Sequence, residues 1–157
     1  MLATLHRVEG VIDAALQRIA FAGVVALIGV MSLQIVSRLF FSATSWSEET
    51  ARYLLIWLTF LGACLAFQRG RHIAVTVIAD GLPSPVPRIA KALVAMVALV
   101  FMVVLVWVGL DYMALQSYQQ SPALQIPMSA VYAVMPLSAG IMGFMAFIDL
   151  LEALAGR

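Results

Sequence analysis

Four long apolar stretches, very few charges, and basic residues gathered beside particular stretches predict an all-α integral membrane protein. The expected architecture is four transmembrane helices plus a short interfacial amphipathic helix, with both termini in the cytoplasm, as a single membrane domain over 1–157. Of the 157 residues, 64% are apolar and 11% charged, whereas soluble domains run about 45–50% and about 25%. Membrane lipid is therefore the solvent. A formal charge of +1 supplies no field for nucleic acid or acidic substrates. One cysteine, Cys64, excludes an internal disulfide and any multi-cysteine metal or cluster site.

A helix crossing a bilayer core needs roughly 20 apolar residues. The first span covers about 16–41, with no charge between Ile19 and Ser37. Its flank carries Glu9 and Asp13 and no cleavage pattern, so it reads as a retained span, not a signal peptide. The second covers about 46–68 and opens on Ser45-Trp46-Ser47-Glu48, the S-x-x-E form of a capping box. At about 34 Å it is long enough to cross. The third covers about 85–113 around charge-free Ala92–Leu110, with Ser84 as a cap and Pro85 in the first turn. The fourth covers about 128–154, and Pro136 within it should bend or loosen the helix. Between the second and third spans, about 71–82, His72-Ile73-Ala74-Val75-Thr76-Val77-Ile78 is too short to span and too apolar for a free loop. Its spacing is ambiguous between strand and helix. An unpaired strand has no place at a membrane, so a helix in the interface plane is expected. No internal repeat is visible, which disfavours an inverted-repeat transporter folded within this chain.

Orientation follows from the basic residues. Arg7, Arg18, Arg69, Arg71, Arg88, Lys91 and Arg157 lie on one side of the four spans, and only Arg38 and Arg52 on the other. The positive-inside rule places the richer side in the cytoplasm.

Arg38, Glu48, Glu49 and Arg52 form the most suggestive constellation. Glu48 and Arg52 stand at i,i+4, Glu49 and Arg52 at i,i+3, so each pair can meet on a helix face. Ionisable groups near a membrane often mark coupling sites. Here the charges balance, lie at interfacial depth, and suit a helix N-terminus. A neutral cluster that caps the second helix and pins the first to it is the favoured reading. No GxGxxG, Walker or HExxH sequence is present, and both histidines lie away from these acids, so neither catalysis nor a cofactor is expected. Gly62/Ala66, and Ala139/Gly143 with Gly140, form small-xxx-small ridges that let helices approach closely, within this chain or against another. Trp57 lies deep in its span and reads as a packing residue. Gln116–Pro127 is polar, uncharged and stiffened by Pro122 and Pro127, a firm outer loop suited to a cap or a docking surface.

In order along the chain stand Trp46-Ser47-Glu48-Glu49 with Arg52, Trp57, Phe60-Leu61-Gly62-Ala63, Gly70-x-His72-Ile73-x-Val75, Leu82-Pro83, Ser121-Pro122-Ala123-Leu124, Ile126-Pro127-Met128, Tyr132 and Met135-Pro136. This set resembles the small membrane subunit, the DctQ-like small permease, of tripartite ATP-independent periplasmic (TRAP) transporters, over nearly the whole chain. Thr76 stands where the family pattern has an acidic residue. The resemblance implies an inner-membrane scaffold subunit without substrate or coupling-ion sites. It implies a large permease subunit as partner and, transiently, a periplasmic substrate-binding protein. The transport implied is ion-gradient-driven, sodium-coupled uptake of an organic acid. Two other classes make different demands on the sequence. A self-sufficient, homodimeric, proton-coupled multidrug exporter requires an acid deep in a span. A haem- or quinone-binding respiratory anchor requires histidines in the spans. Neither is found.

Overall fold

The computed structural model describes residues 2–40, 45–79 and 86–155, with side chains for 5–40, 45–70 and 89–155. The helices are α1, Leu2–Phe40; α2, Ser45–Ala79; α3, Val86–Leu115; α4, Met128–Tyr132; and α5, Val134–Ala155. A single 3-10 turn, Gln116–Tyr118, follows α3. Four helical stretches have the length and apolar character to cross a membrane: Leu5–Phe40, Ser45–Gly70, Ile89–Tyr118 and Met128–Ala155. All four expected spans are present.

Two helices run further than hydropathy alone places them. α1 begins at Leu2 rather than near residue 16, and α2 continues beyond residue 68 to Ala79. The 39 residues of α1 reach about 58 Å, almost twice a hydrocarbon core of about 30 Å. Charged residues keep a segment out of lipid, but they do not stop its backbone from coiling. Gly70 lies inside α2, where glycine costs only about 1 kcal/mol relative to alanine. Among the described residues there is therefore no separate interfacial helix. Residues 71–79 are helical, as anticipated, but they prolong α2 without a break, and 80–82 lie outside the described residues.

The fourth span is divided as Pro136 requires. Proline has no N–H to offer the carbonyl four residues back, that of Tyr132. α4 ends at Tyr132 and α5 starts at Val134. The chain stays helical in direction across Ala133, whose N–H donates to Ser129 O at 2.9 Å and whose carbonyl accepts from Leu137 N at 3.3 Å.

α5 is the centre of the fold. It packs along α3 and against α2, while α1 packs chiefly on α2. Of the most apolar window in the fourth span, 44% is buried within the chain, against 0% for α1. All four spans meet around Leu16, Leu61, Cys64, Met102 and Met142. The Cys64 thiol is fully buried and donates to the Ser138 carbonyl at 3.6 Å. Since lipid tails are as apolar as these side chains, shape fit has to hold the helices together. The α3–α5 crossing shows that fit. A Cβ added to Gly109 would stand 3.1 Å from Pro136 Cδ and 3.2 Å from Pro136 N, and one on Gly143 would stand 3.3 Å from Met102 Cβ.

At the end where α1 begins and α5 finishes, His6 ties the two together. Its Nε2 lies 2.7 Å from Glu152 Oε1 and its Nδ1 lies 3.4 Å from Glu9 Oε2. The His6 side chain is 50% exposed, and ion pairs at such sites contribute about 0–1 kcal/mol. Replacing it, His6→Ala, should therefore lower the unfolding free energy in detergent by no more than about 1 kcal/mol. A larger loss would mean that this tie organises the helix ends.

Candidate interaction site

α2 starts at Ser45, which puts two adjacent glutamates in its opening turns. Neighbouring residues on a helix point about 100° apart, and these two take different partners. Glu48 faces outward and pairs with Arg52, Oε1 to Nη2 at 3.5 Å, with both side chains more than 60% exposed. Glu49 faces the loop between α3 and α4. Its Oε2 accepts from the Ser121 hydroxyl at 3.0 Å, the Leu124 N–H at 3.0 Å and the Ala123 N–H at 3.2 Å, and its Oε1 shares the Ala123 N–H at 3.3 Å. Arg38 sits exposed in the last turn of α1 and, among the described residues, makes no ion pair with either glutamate. The expected four-charge cluster is thus resolved into an exposed pair, a loop clamp and an arginine apart from both. One methylene-rich side chain cannot serve two directions, and the loop presents Glu49 with three donors at once.

The loop around the clamp is closed on itself. Gln120 and Pro127 form an antiparallel bridge; Met128 N donates to Gln119 O at 2.8 Å and Ser121 N to Ile126 O at 2.9 Å. Inside that bridge a tight turn is closed by Gln125 N to Ser121 O at 3.1 Å, with Gln125 in the left-handed region at φ 55°. The Gln125 side-chain amide donates to Pro122 O at 3.1 Å. Ser121 is completely buried; its hydroxyl donates to Glu49 and accepts from Ile126 N at 3.4 Å. Pro122 and Pro127 are exposed, and Tyr118 is 93% exposed. Beneath the loop, Tyr112 and Tyr132 meet edge to face with ring centroids 5.0 Å apart, and the Tyr53 hydroxyl donates to Met128 Sδ at 3.6 Å. These contacts bind the α3–α4 loop to α2, α3 and α4 together.

The remaining sequence-selected residues are dispersed. Trp46 is partly exposed at the start of α2, and its carbonyl accepts from Thr50 Oγ1 at 2.8 Å. Trp57 is half-buried on α2. Gly62 and Gly140 are exposed, with open space where a Cβ would stand, whereas Ala139 is buried and Gly143 abuts Met102. Gly70 is an exposed residue within α2, and the His72 side chain lies outside the described ones. An open groove of about 370 Å³ lies between α3 and α5, lined by Leu99, Met102, Val103, Trp107, Leu110 and Gly140 among others. Its walls are apolar, so it offers packing and no acid–base chemistry. Sequence reasoning missed Gly109, the His6–Glu152 tie and the bond from Ser121 to Glu49. Ser121 precedes a proline, a turn-initiating signal, but its partner lies 72 residues earlier and nothing local announces it.

Together these features define a small multi-pass helical membrane protein with the Glu49 clamp at one end of its helices and the His6–Glu152 tie at the other. Residues 27–156 match the family model described as tripartite ATP-independent periplasmic transporters, DctQ component, and the chain belongs to that family. It is accordingly a multi-pass inner-membrane transport subunit and not an enzyme. It is 33% identical over 145 residues to the isethionate TRAP transporter permease protein DctMQ of Oleidesulfovibrio alaskensis, a match covering 87% of this chain and 22% of that longer protein. A TRAP transporter small permease protein of Haemophilus influenzae is 27% identical over 138 residues, covering 87% of this chain and 84% of the relative. The sialic acid TRAP transporter small permease protein SiaQ of Vibrio cholerae is 34% identical over 85 residues, covering 54% and 46%.

Proposed function

We propose that this chain is the scaffold subunit of a TRAP transporter, held beside a large permease subunit that carries the substrate and the coupling ions. The family match over 27–156 is the observation that carries this reading. Two further points support it. In the isethionate relative, the stretch resembling this chain makes up only 22% of one permease polypeptide, leaving a far larger part of that permease beside it. Among the described residues, the acids lie toward helix ends, at Glu9, Asp13, Glu48, Glu49, Asp111, Asp149 and Glu152, rather than at mid-span where a proton- or ion-carrying group is placed. The exposed small residues Gly62 and Ala66 of α2 and Gly140 of α5 are the close-approach surface offered to the large subunit.

The positive-inside rule supports cytoplasmic termini and a periplasmic 116–127 loop, where a substrate-binding protein docks transiently. The cargo is an organic acid, as the names of the isethionate and sialic acid relatives suggest, and sodium is the driving ion. Reconstitution tests the assignment. Vesicles containing this chain alone should take up no solute under a sodium gradient, and uptake should appear only with the large permease and the loaded binding protein. Drug efflux by the lone chain would instead establish the homodimeric exporter.

A further inference from the structure

We infer that Glu49 is a positioning residue for docking of the binding protein, holding the 121–124 turn in the one shape that the binding protein reads. The inference rests on the docking role proposed above for the 116–127 loop.

Three features carry it. The Glu49 carboxylate directs its hydrogen bonds at the turn, to the Ser121 hydroxyl and to the backbone N–H groups of Ala123 and Leu124. Those two N–H groups belong to the tip of a turn whose other bonds run between Ser121, Pro122, Gln125 and Ile126. Without Glu49 both N–H groups would lose their acceptor, and the turn would lose these bonds to α2. The carboxylate is also fixed from below, because it projects from the opening turns of a 35-residue helix. The turn thus inherits the position of α2 rather than drifting with its own connections.

The consequence for docking is entropic. A surface that presents exposed Pro122, Ala123 and Gln125 in a single arrangement does not have to be ordered when its partner arrives, and preorganisation of that kind raises affinity without any new contact. Residues 118–127 carry no charge, so the turn itself is recognised by its shape and directed hydrogen bonds. Glu49 acts on docking entirely through the turn and meets the incoming protein with neither oxygen.

The test uses the assembled three-component transporter in vesicles, with single cysteines introduced at the loop as Tyr118→Cys or Gln120→Cys and a photoactivated thiol cross-linker. Yield of the adduct with purified binding protein is measured against binding-protein concentration. With Glu49 intact, both positions should cross-link. Glu49→Ala should raise the half-maximal concentration about tenfold, the scale expected when a preorganised loop must be ordered on binding. The plateau yield and the amount of assembled complex should stay unchanged. Glu49→Asp, which keeps the charge, should recover part of the shift. If Glu49→Ala reduces assembly, Ser121→Ala supplies the same reading through a smaller change and should shift the curve in the same direction. Cross-linking from the loop with identical curves for all these variants would overturn the inference and leave docking intact. No adduct from either cysteine with Glu49 in place would overturn the docking role itself, and the inference with it.

Discussion

Gly109→Leu should unfold the α3–α5 crossing, giving a subunit that loses cooperative unfolding or does not accumulate in the membrane. Even Gly109→Ala should be destabilising. The added Cβ meets Pro136 Cδ at 3.1 Å and the Pro136 nitrogen at 3.2 Å. A proline ring has no rotamer to escape into, and its nitrogen is main chain. Two opposing terms set the size for alanine. Removing glycine from a helix interior favours the folded state by about 1 kcal/mol, while overpacking a well-fitted contact costs about 1–3 kcal/mol. With a rigid ring as the obstacle the cost falls toward the upper end of that range, and a net loss of up to about 2 kcal/mol is expected. For leucine the steric term grows and the propensity term does not. The measurement is unfolding in mixed micelles followed by far-UV circular dichroism. A Gly109→Ala subunit as stable as the parent would show that the crossing can widen at no cost.

Gly62→Leu should do the reverse, leaving the isolated subunit intact while reducing recovery of the complex about tenfold or more. Gly62 is exposed and nothing in the chain stands within 4 Å of a Cβ built there. It shares an exposed face of α2 with Leu55, Thr59, Ala63 and Ala66. Substitution with leucine adds no clash within the subunit and slightly favours helix formation. A large-subunit helix seated on that face, however, would be pushed outward, and close approach is what small residues supply in lipid. The comparison is co-purification of the tagged large permease with parent and variant, alongside unfolding of the subunit alone. Loss of both would place Gly62 within the subunit's own packing. Loss of neither would move the partner to another face, with Gly140 the next to substitute. The two glycines sit in similar apolar runs, and only their neighbours separate a fold defect from an assembly defect.

Much of the architecture was legible before the structure. The four spans followed from apolar runs, and the divided fourth span from Pro136. A firm 116–127 loop was expected from Pro122 and Pro127, and the loop closes on itself through its own hydrogen bonds. The ends of α1 and α2 were not legible, because hydropathy reports where a helix is soluble in lipid and not where its hydrogen-bonded backbone stops. The adjacent glutamates were correctly singled out, but their partners were only half recovered. Glu48 and Arg52 pair at i,i+4, a relation that spacing reveals. Glu49 binds residues 72 to 75 positions away, a relation that spacing does not reveal. Arg38, expected to approach them from the last turn of the first helix, forms no ion pair with either among the described residues. Gly109 escaped notice because it lacks a small residue four positions away, the pattern by which Gly62 and Gly143 were found. Its need for glycine comes from a proline on another helix.

Composition and order along the chain thus decided the solvent, the number of crossings and the kinds of residue available at each end. All of these are local, since each helix satisfies its own backbone hydrogen bonds and enters lipid on its own apolar length. Which segments touch, and through which atoms, was left to the folded arrangement. Inside a bilayer no hydrophobic force sorts one apolar helix from another, so partners are chosen by steric fit and a few polar bonds between distant segments. Pro136 against Gly109 and Ser121 against Glu49 exist only once those segments have met.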